Sequence, residues 1–272
     1  MIVVTGATGN VGRPLVQSLA DAGEQVTAVA RRVSALPSGV RHQQADLAEP
    51  ESLRAALRRA EAVFLLTSPD FMARGSIGDV MKVVREAGVK RVVLLSSQGV
   101  GTRRHPAAVE DAVRQSGLGW TVLRPGNFDS NAFQWAQSVR TRRLVAAPFG
   151  DVALPAVDPA DIAEVAALVL REPGHEGSTY TLTGPVPVSP RQQAAAIGDA
   201  VGEPVRFAEQ SRAEARGQLL GFMPEPAVQA TLGILGAPSA AEQRVSPDAG
   251  RLLGRPPRPF ADWAARNVAA FR

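Results

Sequence analysis

The sequence predicts an α/β fold, in which a doubly wound parallel sheet is followed by a smaller α+β region. The first 125 of its 272 residues alternate short apolar, β-branched runs with longer segments of helical periodicity. Strands that are apolar on both faces and separated by helices are typical of a parallel sheet covered by helices. We therefore expect strands at residues 2–4, 26–30, 62–67, 91–95 and 120–123.

Helices are predicted beside these strands, at residues 11–22, 51–59, 77–87 and 107–115. The third has the clearest pattern, because apolar side chains recur at helical spacing at Ile77, Val80, Met81, Val84 and Ala87. That spacing places them on one buried face of a helix.

The second half of the chain is less regular. A helix is expected at 159–171, because Asp158 is a typical N-cap and Pro159 suits the first helical position. Further elements are expected as a strand at 178–182, a helix from the cap Ser189 to residue 201, a strand at 205–208 and a helix at 260–271. Residues 223–258, rich in proline, are interpreted as loops with short helices. We divide the chain into a domain of residues 1–150, with 159–171 as its return helix, and a smaller region of residues 151–272.

Composition excludes several functional classes. The absence of cysteine excludes disulfides and thiolate catalysis, and three histidines far apart in sequence predict no metal site. The 30 basic and 26 acidic residues give a net charge of +4, and the arginines are scattered, so no nucleic-acid surface is expected. No apolar run reaches about 18 residues. The first residues also lack a signal-peptide pattern, so we expect a cytoplasmic protein without a membrane partner.

A glycine-rich turn follows the first predicted strand directly and opens the first helix. Its sequence is Thr-Gly-Ala-Thr-Gly-Asn-Val-Gly at residues 5–12. Three glycines at this spacing allow a tight turn, a close approach to a pyrophosphate and close packing of helix on sheet, which is the pattern of a Rossmann dinucleotide site. An ordinary glycine-rich turn is the alternative, but the strand–turn–helix context favours nucleotide binding. The predicted cofactor contacts here are Gly6, Thr8, Gly9, Asn10, Val11 and Gly12.

The residues after the second strand indicate which nucleotide is bound. An acidic residue about 20 positions beyond the glycines would bind the ribose 2′-hydroxyl of NAD. Arg31 and Arg32 stand there instead, and guanidinium groups bind a 2′-phosphate, so NADPH is expected in preference to NADH. Two solvated surface arginines are the alternative. Asp46 and Leu47 are predicted to meet the adenine edge, although Asp46 is equally compatible with a helix or turn cap.

A family resemblance rests on several motifs, which cover about residues 1–200. These are TGATGNVG, VARR, QADL, LLTSP, VKRVVLLSSQG, SGLGWTVLRPGNFDSN, DIAEVAALVL and GSTYTLTGP. The chain resembles the NmrA-like branch of the atypical short-chain dehydrogenase/reductases, and within it the NADPH-dependent quinone oxidoreductases. The resemblance implies a Rossmann domain that binds NADP(H) and a small substrate-covering C-terminal domain.

Further site residues are expected where predicted strands end. Ligands of open α/β sheets bind at the carboxyl ends of strands, which points to Thr67 and Ser68 for the cofactor. Hydrogen bonding to the loop backbone is an equal alternative for both. The resemblance adds Ser96 and Ser97 at the family's serine position, and Pro125, Asn127 and Phe128 from the LRPxxF turn beside the nicotinamide. Phe128 and Phe133 are predicted to form an apolar wall, with core packing as the alternative.

Four residues are predicted to act on the substrate: Ser96, Ser97, Gln98 and His105. Gln98 is a potential donor to a carbonyl, and His105 is the group of this region that titrates near neutrality, with a mobile surface histidine as the alternative. For Glu110, which matches a glutamate of the family's helix, we expect a structural role.

The Tyr-x-x-x-Lys dyad that reductases of the wider superfamily use is absent. The one tyrosine, Tyr180, lies far along the chain, and the segment between Ser97 and Trp120 holds neither tyrosine nor lysine. A missing proton donor favours hydride transfer from NADPH to a quinone or a similar conjugated small molecule. A redox-sensing NADP(H)-binding regulator without turnover, and a non-redox cyclase or isomerase, stay open as alternatives. The sequence also leaves a homodimer open.

Overall fold

The sheet that carries the predicted turn is mostly parallel. The computed structural model describes residues 1–32 and 35–272, with the side chain of Pro69 outside that description. Within these residues, seven strands form one sheet in the order β3-β2-β1-β4-β5-β6-β8, and β7 pairs with β9. Their bounds are β1 (Ile2–Thr5), β2 (Val26–Ala30), β3 (Arg41–Gln44), β4 (Ala62–Leu66), β5 (Arg91–Leu95), β6 (Gly119–Pro125), β7 (Leu144–Ala147), β8 (Ser178–Leu182) and β9 (Arg206–Glu209).

Strands β1 to β6 pair in parallel. Val3 of β1 lies between Thr27 of β2 and Val63 of β4, and the pairs β2–β3, β4–β5 and β5–β6 run in the same direction. The carboxyl ends of these strands therefore meet at one edge of the sheet. The predicted doubly wound α/β fold is confirmed.

The helices of the described residues are numbered in chain order. They are α1 (Gly12–Asp21), α2 (Arg54–Leu57), α3 (Pro69–Arg74), α4 (Ile77–Glu86), α5 (Gln98–Gly101), α6 (Ala108–Arg114), α7 (Ala136–Arg142), α8 (Pro159–Arg171), α9 (Pro190–Val201), α10 (Arg212–Leu219), α11 (Glu225–Gly236), α12 (Ala240–Gln243), α13 (Asp248–Leu253) and α14 (Phe260–Arg266). Among the helices of the described ranges, none has the length and apolar character needed to cross a membrane.

The backbone packs as two compact units. The first comprises Met1–Val100, Pro106–Pro125 and Pro159–Thr181. Its core joins the sheet to α2, α4 and α6 through buried side chains such as Val63, Leu94 and Val84, while α1 and α8 pack against each other. The predicted domains of residues 1–150 and 151–272 stay a prediction.

The second unit comprises Gly101–His105, Gly126–Asp158 and Leu182–Arg272. Its core is aromatic: Phe260, Trp263 and Phe271 pack with α9, and the ring centroids of Phe260 and Trp263 lie 5.4 Å apart.

Two predictions for the C-terminal region are corrected. Residues 225–236, expected to be loops with short helices, form the 12-residue helix α11. Its proline falls at the first helical positions, where proline starts a helix and does not break it. The last helix, expected to reach residue 271, ends at Arg266, because the Asn267 side chain donates to the carbonyl of Trp263 at 2.8 Å and a 3₁₀ turn follows.

Candidate functional site

The turn after β1 requires glycine at two positions. Gly6 adopts a positive φ of 63°, a left-handed conformation that side chains disfavour. A Cβ on Gly12 would lie 2.1 Å from the carbonyl oxygen of Gly6, inside the van der Waals distance. The start of α1 therefore approaches the turn as closely as backbone allows, which is the packing expected of the third glycine in a dinucleotide site.

The same turn is exposed at Thr8, Gly9 and Asn10. The N-cap residue of α1, Val11, makes no side-chain capping hydrogen bond. The amide of Ala7 donates to the carbonyl of Val29 at 3.2 Å, which ties the turn to β2. An uncapped helix start beside a glycine cradle fits a pyrophosphate, because its N–H groups and dipole stabilise negative charge.

Arg31 and Arg32 follow β2, and an acidic residue that the sequence did not single out lies beside the first. Arg31 Nη1 lies 3.2 Å from Asp70 Oδ2 at the start of α3, and Arg74 pairs with the same carboxylate. The hydrogen bond from Arg74 and the charges of both arginines lower the pKa of Asp70. The Arg32 side chain is exposed and contacts no partner in the part of the chain that the structure describes.

The other predicted cofactor contacts of this unit also have partners in the protein. Asp46 Oδ1 accepts from the amide of Ala48 at 2.9 Å, which is the turn-cap geometry, and Leu47 packs against the first core. The Ser68 hydroxyl caps α3 by accepting from the amide of Phe71 at 3.1 Å, whereas Thr67 is half-buried just after β4. Their contacts with a nucleotide stay predictions.

A buried carboxylate joins the ends of β5 and β6. Glu110 of α6 is 1% exposed and accepts from the Ser96 hydroxyl at 2.6 Å and from Arg124 Nε and Nη2 at 2.9 and 2.7 Å. Arg114 Nη2 lies 2.8 Å from the same carboxylate. Burial alone would raise the pKa of Glu110, but these hydrogen bonds and charges outweigh burial and lower it.

This cluster places Ser96 where its hydroxyl already donates to a carboxylate. Such a donor cannot give the same proton to a substrate without breaking that bond. The arrangement holds Arg124 and Pro125, the end of β6, in one position relative to β5. Glu110 therefore has the structural role that the sequence predicted.

The remaining predicted catalytic residues lie in different surroundings. The Ser97 hydroxyl accepts from the amide of Gly99 at 3.1 Å, and Gln98 opens α5. His105 belongs to the second unit, where burial lowers its pKa although the charge of Glu242 acts in the opposite direction. A lowered pKa reduces the fraction of His105 that is protonated, and so able to act as a general acid, at a given pH. The catalytic roles of these residues stay predictions.

Neither member of the usual dyad is present at this edge of the sheet. The single tyrosine, Tyr180, lies in β8, and its hydroxyl is 2.9 Å from His175 Nδ1. The two lysines, Lys82 and Lys90, lie in α4 and just before β5. The position of Tyr180 agrees with the absence of the dyad that the sequence indicated.

The second unit contains a cavity of about 470 Å³. Phe128 and Asn127, both predicted site residues, line it. Phe133, predicted as part of an apolar wall, instead packs on Trp263 with ring centroids 4.9 Å apart. Other lining residues were missed by the sequence analysis, because they come from segments without a motif: Trp135, Phe149, Gln193, Gln210, Phe222 and Leu235.

The geometry of the first unit defines a class of protein. A glycine cradle links a parallel strand to a helix, and polar residues follow the neighbouring strands at the same edge. That combination is the Rossmann dinucleotide-binding fold.

Comparison with known proteins agrees with that class. Residues 6–173 match the model of a family described as NAD(P)H-binding. Over its full length the chain is 39% identical to a (4-alkanoyl-5-oxo-2,5-dihydrofuran-3-yl)methyl phosphate reductase of Streptomyces griseus and 32% identical to an NAD(P)H azoreductase of Xenophilus azovorans, covering 99% of each. An NADPH-dependent quinone oxidoreductase of Escherichia coli, solved with NADPH, superposes with a TM-score of 0.79 at 26% identity over 98% of this chain and 99% of that one.

The chain therefore belongs to the NAD(P)H-binding family, as its motifs predicted. The relatives that it matches over its whole length are reductases, and the chain is an NAD(P)H-dependent oxidoreductase.

Proposed function

We propose that the protein reduces a quinone or a similarly conjugated small molecule with NADPH. The observation that carries this proposal is a dinucleotide-binding edge that lacks the Tyr-x-x-x-Lys proton donor. Ser96 follows β5, β6 ends in Pro125, and the one tyrosine lies in β8. When bound, the nicotinamide supplies the hydride. The residues of this chain bind and orient the two partners.

The chemistry of the product explains why such a site prefers a conjugated acceptor. Reduction of an isolated ketone develops an alkoxide, a strong base that needs a positioned acid. Reduction of a quinone develops a phenolate, whose conjugate acid has a pKa of about 10, like that of tyrosine. Water can protonate that anion after the reaction, so no dedicated acid is required.

The names of the relatives support the same class of acceptor. One is named for an azo compound and another, a solved structure, for a quinone. The third is named for a dihydrofuran that carries an oxo and an alkanoyl group on its ring. A quinone and a dihydrofuran with these two carbonyl groups are conjugated, electron-poor systems, and an azo compound contains an N=N double bond.

The preference for NADPH rests on Arg31 and Arg32. A 2′-phosphate next to two guanidinium groups gains charge-assisted hydrogen bonds that the 2′-hydroxyl of NADH lacks. The carboxylate of Asp70 already pairs with Arg31 at 3.2 Å. Arg32, exposed beside it, is therefore the more available of the two.

Consumption of NADPH tests the proposal. The purified protein is incubated with a panel of quinones, with NADH in parallel, and absorbance at the nicotinamide band is followed. We expect turnover with at least one quinone and a higher kcat/KM with NADPH. No consumption by protein that demonstrably holds NADPH would overturn the proposal and favour a redox-sensing or non-redox role.

A further inference from the structure

Among the residues that the structure describes, those that line the cavity of the second unit are all uncharged. No Asp, Glu, Lys, Arg or His side chain contributes to its wall. Its apolar portion includes the rings of Trp135, Phe149 and Phe222, together with Leu219 and Leu235. At about 470 Å³ it has the size of pockets that enclose drug-sized ligands.

Amide side chains supply the polar part of the wall. Asn127, Gln193 and Gln210 are half-buried there, and within the described ranges their side-chain amides make no hydrogen bond with protein groups. Each amide offers two N–H donors and one carbonyl acceptor. Donors at the wall of an apolar cavity fit the carbonyl oxygens of an uncharged acceptor.

Two guanidinium groups of the second unit donate to backbone carbonyls. Arg212 Nη1 donates to the carbonyl of Leu232 at 3.3 Å, and Arg104 Nη2 donates to that of Ala237 at 3.1 Å. Arg104 also lies 3.4 Å from the buried carboxylate of Glu242. Neither guanidinium lines the cavity.

We infer that this cavity is the acceptor site and that it selects uncharged acceptors against phosphate esters. The inference rests on the proposed function and narrows its substrate class. A phosphate monoester carries a charge of roughly −1.5 to −2 at neutral pH, and its burial needs cationic partners that this wall lacks. The Streptomyces griseus relative is named for a substrate that is a phosphate ester. The cavity of this protein therefore favours a different class of substrate from the one in that name.

Two acceptors that differ only in the phosphate provide the test. One is a 1,4-naphthoquinone with a hydroxyalkyl chain, and the other is the phosphate monoester of that alcohol. Binding is measured by isothermal titration calorimetry to protein saturated with NADP⁺, which cannot donate hydride. We expect the ester to bind roughly 30- to 100-fold more weakly, since a charged group loses its hydration without a partner.

Charge placed in the wall should reverse this preference. Gln193→Lys, and as a second variant Gln210→Lys, should raise affinity for the ester at least about tenfold, because a buried cation pairs with the phosphate. Gln137→Lys is the matched control, since Gln137 is exposed on α7 and does not line the cavity. It adds the same charge to the protein and should leave the ratio of the two affinities unchanged.

The outcomes separate this inference from the proposed function. Equal or tighter binding of the ester by the natural protein overturns the inference, while NADPH-driven reduction of both quinones would leave the proposed function intact. If neither quinone is bound or reduced, the proposed function fails and the inference falls with it. If Gln137→Lys raises affinity for the ester as much as Gln193→Lys does, the charge acts without the cavity wall. That result would also refute the inference.

Discussion

Replacement of Glu110 by alanine should destabilise the edge of the sheet where the predicted site lies. The carboxylate is 1% exposed and accepts hydrogen bonds from the Ser96 hydroxyl and from Nε and Nη2 of Arg124. Arg114 is its third partner. Removal of the carboxylate leaves the half-buried Ser96 hydroxyl and the Arg124 guanidinium without their acceptor. Breaking a buried pair by deleting one partner costs about 3–5 kcal/mol.

The exposure of the two arginines sets the expected value within that range. The side chains of Arg124 and Arg114 are 21% and 31% exposed, so water can replace part of what they lose. We therefore expect Glu110→Ala to lower the free energy of unfolding by about 3 kcal/mol. For a chain of this size that corresponds to a fall in Tm of roughly 6–12 °C.

Urea unfolding followed by circular dichroism measures this loss. Asp111→Ala is the matched control, because Asp111 is the next residue, is 54% exposed and lies 3.9 Å from Arg114. We expect that control to stay within about 0.5 kcal/mol of the natural protein. A Glu110→Ala protein as stable as the control would refute the assignment of the carboxylate to the joint between β5 and β6.

Acid should weaken the same interaction. The pKa of Glu110 in the folded protein lies below its ordinary value of 4.5, so the carboxylate stabilises the fold fully above that pH. The contribution is lost as pH falls through the lowered pKa. The difference in unfolding free energy between the natural protein and Glu110→Gln should therefore shrink between pH 7 and the acid range, and an unchanged difference would contradict the pKa direction.

Three further predictions concern the nucleotide. Arg31→Asp combined with Arg32→Ala should weaken NADPH binding far more than NADH binding in fluorescence titrations. Equal weakening of both would contradict the assignment of these arginines to the 2′-phosphate. Asp70→Asn, which releases Arg31 from its ion pair, should improve NADPH affinity relative to NADH by roughly two- to fivefold, and a shift toward NADH would contradict that geometry. Gly12→Ala should abolish nucleotide binding, because its Cβ would lie 2.1 Å from the Gly6 carbonyl oxygen, whereas Gly78→Ala, whose Cβ meets nothing closer than 3.8 Å, should bind normally.

The elements that the sequence predicted well are those with local causes. The helix at residues 159–171 was predicted with the observed bounds, because an N-cap, a first-position proline and an apolar face act within a few residues of each other. The strand β7 (Leu144–Ala147) was not predicted. It exists through pairing with β9, about 60 residues away, and its own residues carry no distinguishing pattern.

The site shows the same division. The turn at Gly6 and Gly12 was predicted, because positive φ and close backbone approach restrict the residue type wherever the turn occurs. The half-buried amides at Gln193 and Gln210 were missed, because glutamine in a helix or after a strand is common on any surface. Only their common position in one cavity gives them chemical meaning.

By itself the sequence determined the parallel sheet, the dinucleotide turn and the absence of a tyrosine–lysine proton donor. These follow from apolar periodicity, from backbone conformations that only glycine tolerates and from the count of residue types. The tertiary structure decided which charges meet. Arg31 finds Asp70 39 positions away, and Glu110 joins Ser96 to Arg124, because strands distant in the chain end at one edge of the sheet. Contacts of that kind depend on the packing of whole elements, so no local pattern records them.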